Sequence, residues 1–72
     1  MSQWPSSKAK RVYQALLRIG WTPKAQASGT SHIQLQRAGY RDYTWAWHDS
    51  VELGPVALRR IAKYTGLTPE DL

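Results

Sequence analysis

Residues 32–48 read HIQLQRAGYRDYTWAWH, two alternating runs around a turn. In the first run Ile33 and Leu35 share one side, and His32, Gln34 and Gln36 the other. In the second, Tyr43, Trp45 and Trp47 share one side, opposite Thr44, Ala46 and His48. A period of two belongs to a half-buried strand, because successive side chains point to opposite faces. The intervening AGYRD is turn-forming, so the stretch predicts an antiparallel hairpin with one apolar and one open face. Bringing both apolar sets to one face fixes the parity of the pairing register. The shortest sensible loop then pairs Ile33 with Trp47, Leu35 with Trp45, Arg37 with Tyr43, and His32 with His48. Directly opposed residues bring their β-carbons within about 4.5–5.5 Å, so this register predicts two adjacent imidazoles. A slip of two residues would keep the faces and separate the histidines.

Working outward, Ala9, Val12, Leu16 and Ile19 recur at helical spacing, and Ser6 or Ser7 can supply an N-cap. With Gly20 as the stop, a first helix is expected over about 7–19. Residues 21–27 read as a weaker strand that Pro23 confines to an edge, and SGTS (28–31) as a loop. Gly54-Pro55 opens a second helix, since proline suits the first helical position, and Gly66 ends it. Leu58, Ile61 and Ala62 form its buried stripe, with Val56 and Tyr64 flanking. The closing TPEDL allows one more helical turn. The predicted class is α+β: α-β-β-β-α, a three-stranded antiparallel sheet with both helices on one face.

The totals fit one small domain of 72 residues, with an ordered core over about 7–67 and a loose tail at 1–5. A chain this short buries only about 60% of its unfolded surface. It contains no cysteine, which removes disulfides and thiolate-bound zinc. No apolar run approaches the ~20 residues of a membrane span, and MSQWPSSKAK lacks a signal-peptide core, so a soluble, cytoplasmic protein is expected. Ten Lys and Arg against five Asp and Glu give +5. That balance favours a polyanionic partner, nucleic acid or an acidic protein, and is also compatible with ordinary solubility charge.

The chemistry available is narrow. Five scattered acids and two histidines form no metal-ligand spacing, and no glycine-framed serine elbow supports a Ser-His-Asp hydrolase. Histidine titrates nearest neutrality and can act as acid or base. RNA makes small demands on such a site, because its own 2′-OH is the nucleophile. Read by itself, His32 is either a surface residue or such an acid/base. His48 is either that or a turn residue before the second helix. The Trp/Tyr stripe fits core better than a base-stacking platform, since Ile33 and Leu35 complement it.

The chain also resembles a known family, the HicA toxins, over about residues 8–67. Gly20-Trp21 follows YQALLRI, as in that family's helix ending in Gly-Trp or Gly-Phe. GTSH keeps Ser31-His32 of a Gly-Ser-His motif, with Thr30 inserted after Gly29. WAWHDSVEL keeps His48, Glu52 and Leu53 of a strand ending Val-Pro-x-His and its following Glu-Leu, with Ala46 in place of proline. LRRIAKYTGL (58–67) matches Leu-x-x-Ile-x-x-x-x-Gly-Leu, and Val56-Ala57 stands where Gly-Thr is common.

The resemblance implies a fold like a double-stranded RNA-binding domain. It implies a type II toxin that cleaves mRNA without a metal, a cofactor or the ribosome, paired with a HicB-like antitoxin. It makes His32 the expected catalytic residue. The position of His48 leaves it a secondary candidate for donating a proton or holding phosphate. Lys24, Ser31, Gln34, Arg37 and Arg41 are expected RNA contacts, flanking the open face or its loops. Two other readings use the same surface: a non-catalytic module recognising RNA shape, and an interaction domain for an acidic protein.

Overall fold

The computed structural model describes residues 4–24 and 32–72. In chain order these form β1 (Ser7–Lys8), α1 (Ala9–Arg18), β2 (Thr22–Pro23), β3 (Ile33–Gln36), β4 (Tyr43–Trp45), β5 (Glu52–Leu53), α2 (Pro55–Thr65) and a closing 3₁₀ turn at Pro69–Asp71. Strands β2, β3 and β4 make the expected antiparallel sheet in that order, with both helices against its apolar face. A second, two-stranded piece was not anticipated: β1 pairs with β5, Ser7 opposite Leu53 and Lys8 opposite Glu52.

This pairing explains why helix α1 begins without a serine cap. Its N-cap is Lys8, which makes no side-chain capping bond. The early N–H groups of the helix, with no partner inside it, instead donate to main-chain carbonyls of the loop before and into β5. Ala9 N–H reaches Val51 O at 2.7 Å and Lys10 N–H reaches Asp49 O at 3.3 Å. At the other end Gly20, at φ 120°, closes the helix. Gly20 N–H donates to Leu17 O and Trp21 N–H to Leu16 O, the paired bonds of a Schellman cap. The chain therefore leaves the helix with Trp21 turned inward and fully buried.

The core is built from one stripe of each element. Ala9, Val12, Ala15 and Leu16 come from α1, Leu35 and Trp45 from the sheet, and Leu58 and Ile61 from α2, with Trp21, Leu53 and Leu67 closing it. Helix α2 starts at Pro55, as its sequence predicts, and its Gly66 cap adopts φ 77°. Thr65, also buried, returns its hydroxyl to Ile61 O at 2.8 Å. The indole N–H of Trp21 donates to Thr65 O at 3.0 Å, satisfying a carbonyl at the helix end and fixing α2 to the chain after α1.

The hairpin register is a correction. Ile33 pairs with Trp45, Gln34 with Thr44 and Leu35 with Tyr43, two residues away from the pairing the shortest loop predicts. The faces are those the alternation assigns. The cause lies in the turn. Arg37 leaves the ladder, sets its guanidinium over the Tyr40 ring at 4.7 Å, and donates to Thr65 O at 3.5 Å. Tyr40 in turn meets the edge of Trp21, ring centroids 5.4 Å apart. Tying Arg37 and Tyr40 to the end of α2 lengthens the turn, and strand pairing starts later. Strand β4 accordingly ends at Trp45, and Trp47 lies past the ladder with 39% of its surface exposed.

Candidate functional site

The sheet face turned away from the helices carries side chains in rows set by the register. Thr22, Gln36 and Asp42 form one row, and Lys24, Gln34 and Thr44 the next. These follow because β2 pairs Thr22 with Gln36, and Lys24 N–H continues the ladder to Gln34 O at 2.8 Å. All six are exposed. Gln34 donates its side-chain amide to Thr44 Oγ1 at 2.7 Å, across the strands. Lys24 Nζ reaches diagonally over β3 to Asp42 Oδ2 at 2.8 Å. Among the described residues, the face thus carries a polar bridge from Gln34 to Thr44 and an ion pair from Lys24 to Asp42.

His32 stands immediately before β3, exposed. Its parity is that of Gln34 and Gln36, so it belongs to this open face. Carrying the register one step beyond the strand places Ala46 opposite it, not His48. The expected pair of imidazoles is therefore overturned by the two-residue shift. His48 is exposed in the turn before β5, where its carbonyl accepts a bond from Val51 N–H at 3.0 Å. That turn also supplies the carbonyls capping α1, so His48 adjoins the helix start.

The remaining expected contacts divide by place. Gln34 and Lys24 share the open face with His32. Arg41 is exposed in the turn between β3 and β4. Arg37 has the parity of Ile33 and Leu35, is half-buried, and points to the end of α2. Ser31 lies outside the described residues. Thr44 and Asp42, absent from the expected set, are the direct partners of Gln34 and Lys24. Their alternation with Tyr43 and Trp45 was the available signal. Among the described residues no group of three or more His, Asp or Glu could hold a metal.

The cations are distributed unevenly. Six of the ten Lys and Arg sit on the two helices: Lys10, Arg11 and Arg18 on α1, and Arg59, Arg60 and Lys63 on α2. All six are exposed. Most of the positive field therefore originates behind and beside the sheet rather than on its open face. No helix among the described residues is long and apolar enough to cross a membrane.

A family model described as the HicA toxin of bacterial toxin–antitoxin systems matches residues 9–67. The match runs from the first residue of α1 to the buried Leu67 and takes in every element that positions the open face. Neither a curated protein nor a solved structure matches the chain significantly. On the extent of that family match, this chain belongs to the HicA toxin family of bacterial toxin–antitoxin systems.

Proposed function

We propose that the protein is an endoribonuclease that cleaves mRNA, independent of metal and ribosome, with His32 as its general acid/base and a HicB-like antitoxin as its partner. Membership in the HicA toxin family carries this reading. The exposure of His32 beside a polar sheet face supports it. The 2′-oxygen of the RNA attacks the adjacent phosphorus as its proton is removed. The bond from phosphorus to the 5′-oxygen breaks, and that oxygen takes a proton, leaving a 2′,3′-cyclic phosphate and a 5′-hydroxyl. His32 serves one of these proton transfers, and a positioned acid/base contributes about 10²–10⁴-fold.

Lys24 and Arg41 hold the phosphates and Gln34 the sugar or base edge. Lys24 is available for this although it is paired with Asp42. The pair is more than two-fifths exposed on both sides, and exposed ion pairs are worth only about 0–1 kcal/mol. An incoming phosphate can exchange for the Asp42 carboxylate at little cost. Arg37 contributes by holding the turn rather than by touching RNA.

The test is induction of wild type, His32→Ala and His48→Ala in a heterologous host, following growth and total mRNA. Wild type arrests growth and degrades mRNA, His32→Ala does neither, and His48→Ala remains toxic. Purified wild type cleaves RNA in the presence of EDTA. Intact mRNA with wild type, together with RNA binding by all three proteins, would instead establish a non-catalytic RNA-binding module.

A further inference from the structure

Beside the outer edge of β4, on the side opposite His32, a cleft of about 440 Å³ opens between the strand and the start of α2. Tyr43 and Trp47 form one wall, Pro55, Val56 and Ile61 the other, and Arg60 lies at its rim. The surface is apolar and open to solvent: Trp47 is 39% exposed and Val56 66%. The Tyr43 ring stacks on Tyr64 with centroids 6.3 Å apart, which stiffens its wall. The volume lies in the range of about 300–1,000 Å³ that takes compact ligands and side-chain clusters.

Two further features specify the occupant. Strand β4 is the edge of its sheet, and among the described residues no strand pairs with its outer side. Its main-chain donors and acceptors there can accept another strand. Helix α2 carries three cations and no acid, so the rim is positive. A nucleic-acid base suits the cleft poorly. The donors and acceptors on its edges would meet chiefly carbon, and burying unpaired polar groups is costly.

We propose that this cleft and the outer edge of β4 form a docking site for an extended segment of a partner protein in which two apolar residues and an Asp or Glu follow one another at every second position, so that all three face α2. The segment adds to the sheet as a further strand. Alternate side chains, about 6.6–6.8 Å apart along a strand, enter the cleft beside Trp47 and Val56. Its carboxylate, of the same parity as the apolar residues, meets Arg60 at the rim of the cleft. The site stands on the cleft itself and does not depend on RNA cleavage at His32.

The experiment is selection of random twelve-residue peptides displayed on phage against the purified full chain. It is followed by synthesis of the enriched peptides and NMR titration of the ¹⁵N-labelled protein. Peptides of the pattern apolar-x-apolar-x-acid, with Val, Leu or Ile at the apolar positions, are enriched, and they shift amides over 43–47 and 56–61 while leaving Lys24 and Gln34 unchanged. Val56→Asn and Arg60→Glu each weaken binding roughly tenfold or more and retain the wild-type circular dichroism spectrum, and Val56→Asn leaves RNA cleavage intact. No enrichment, shifts confined to the open face, or binding indifferent to both substitutions overturns the proposal. So does a single-stranded RNA oligonucleotide that shifts the cleft amides in preference to the peptides. Loss of cleavage on His32→Ala reads the other site separately.

Discussion

Lys24 and Asp42 meet as an ion pair on the open face, and they serve different ends. Lys24→Ala loses one phosphate contact, so it weakens RNA binding and lowers the slope of log affinity against log salt by about 0.7. Asp42→Ala releases Lys24 and tightens binding or leaves it unchanged. Both change stability by less than about 1 kcal/mol, as expected for an exposed pair. Fluorescence anisotropy with a labelled RNA, measured in a His32→Ala background, checks the affinities and a urea titration the stability. Tyr43 behaves differently, since burial raises its hydroxyl above the ordinary value of 10.0, with the Trp47 hydrogen bond opposing and the charge of Tyr64 assisting. The native state therefore holds this proton more tightly than the unfolded chain. Its contribution to stability is complete below pH 10 and is lost as pH rises through the folded value. Urea midpoints followed from pH 9 to 11 fall for wild type and fall less for Tyr43→Phe.

Two glycines bound α2, and they make opposite demands. Gly66 ends the helix at φ 77°, and a β-carbon there would lie 2.8 Å from the Tyr40 hydroxyl oxygen. Gly66→Ala therefore meets both backbone strain of about 1–2 kcal/mol and a displaced tyrosine. Gly54 sits in ordinary extended backbone with open space around it, so Gly54→Ala changes stability by less than about 0.5 kcal/mol. Chemical denaturation of the two variants separates these cases. The end of α1 and both limits of α2 were legible because proline and glycine act locally. The start of α1, expected near Ser7, falls instead at Ala9 because Ser7 pairs into β1. The two strand faces were legible because alternation is local too. The register was not. It depends on Arg37 reaching Thr65 and Tyr40 reaching Trp21, contacts between residues far apart in the chain. The pairing of β1 with β5 was hidden for the same reason, since two-residue strands carry no period to read. His32 is exposed immediately before β3, in keeping with its polar parity. Its separation from His48 and the exposure of Trp47 both followed from the shifted register.

Across the whole molecule, the positive charge and the polar sheet face are largely separate. If RNA met only Lys24 and Arg41, the slope of log affinity against log salt would be about −1.4 at 0.7 per contact. The exposed cations of both helices add to the field that draws the polyanion in. A measured slope steeper than about −2 is therefore expected, obtained by titrating labelled single-stranded RNA into the His32→Ala protein across salt concentrations. Charge composition alone raises the expectation of a polyanionic partner; the arrangement of that charge needed the packing of both helices. The capping of α1 has a consequence of another kind, in the order of synthesis. The carbonyls that satisfy Ala9 and Lys10 belong to Val51 and Asp49, and the carbonyl that anchors Trp21 belongs to Thr65. Both ends of the first helix thus wait on segments translated about forty residues later. A ribosome that has made only the hairpin holds His32 in an unfinished fold. On the proposed cleavage at His32, the nascent chain is harmless to the message being read until its second helix emerges.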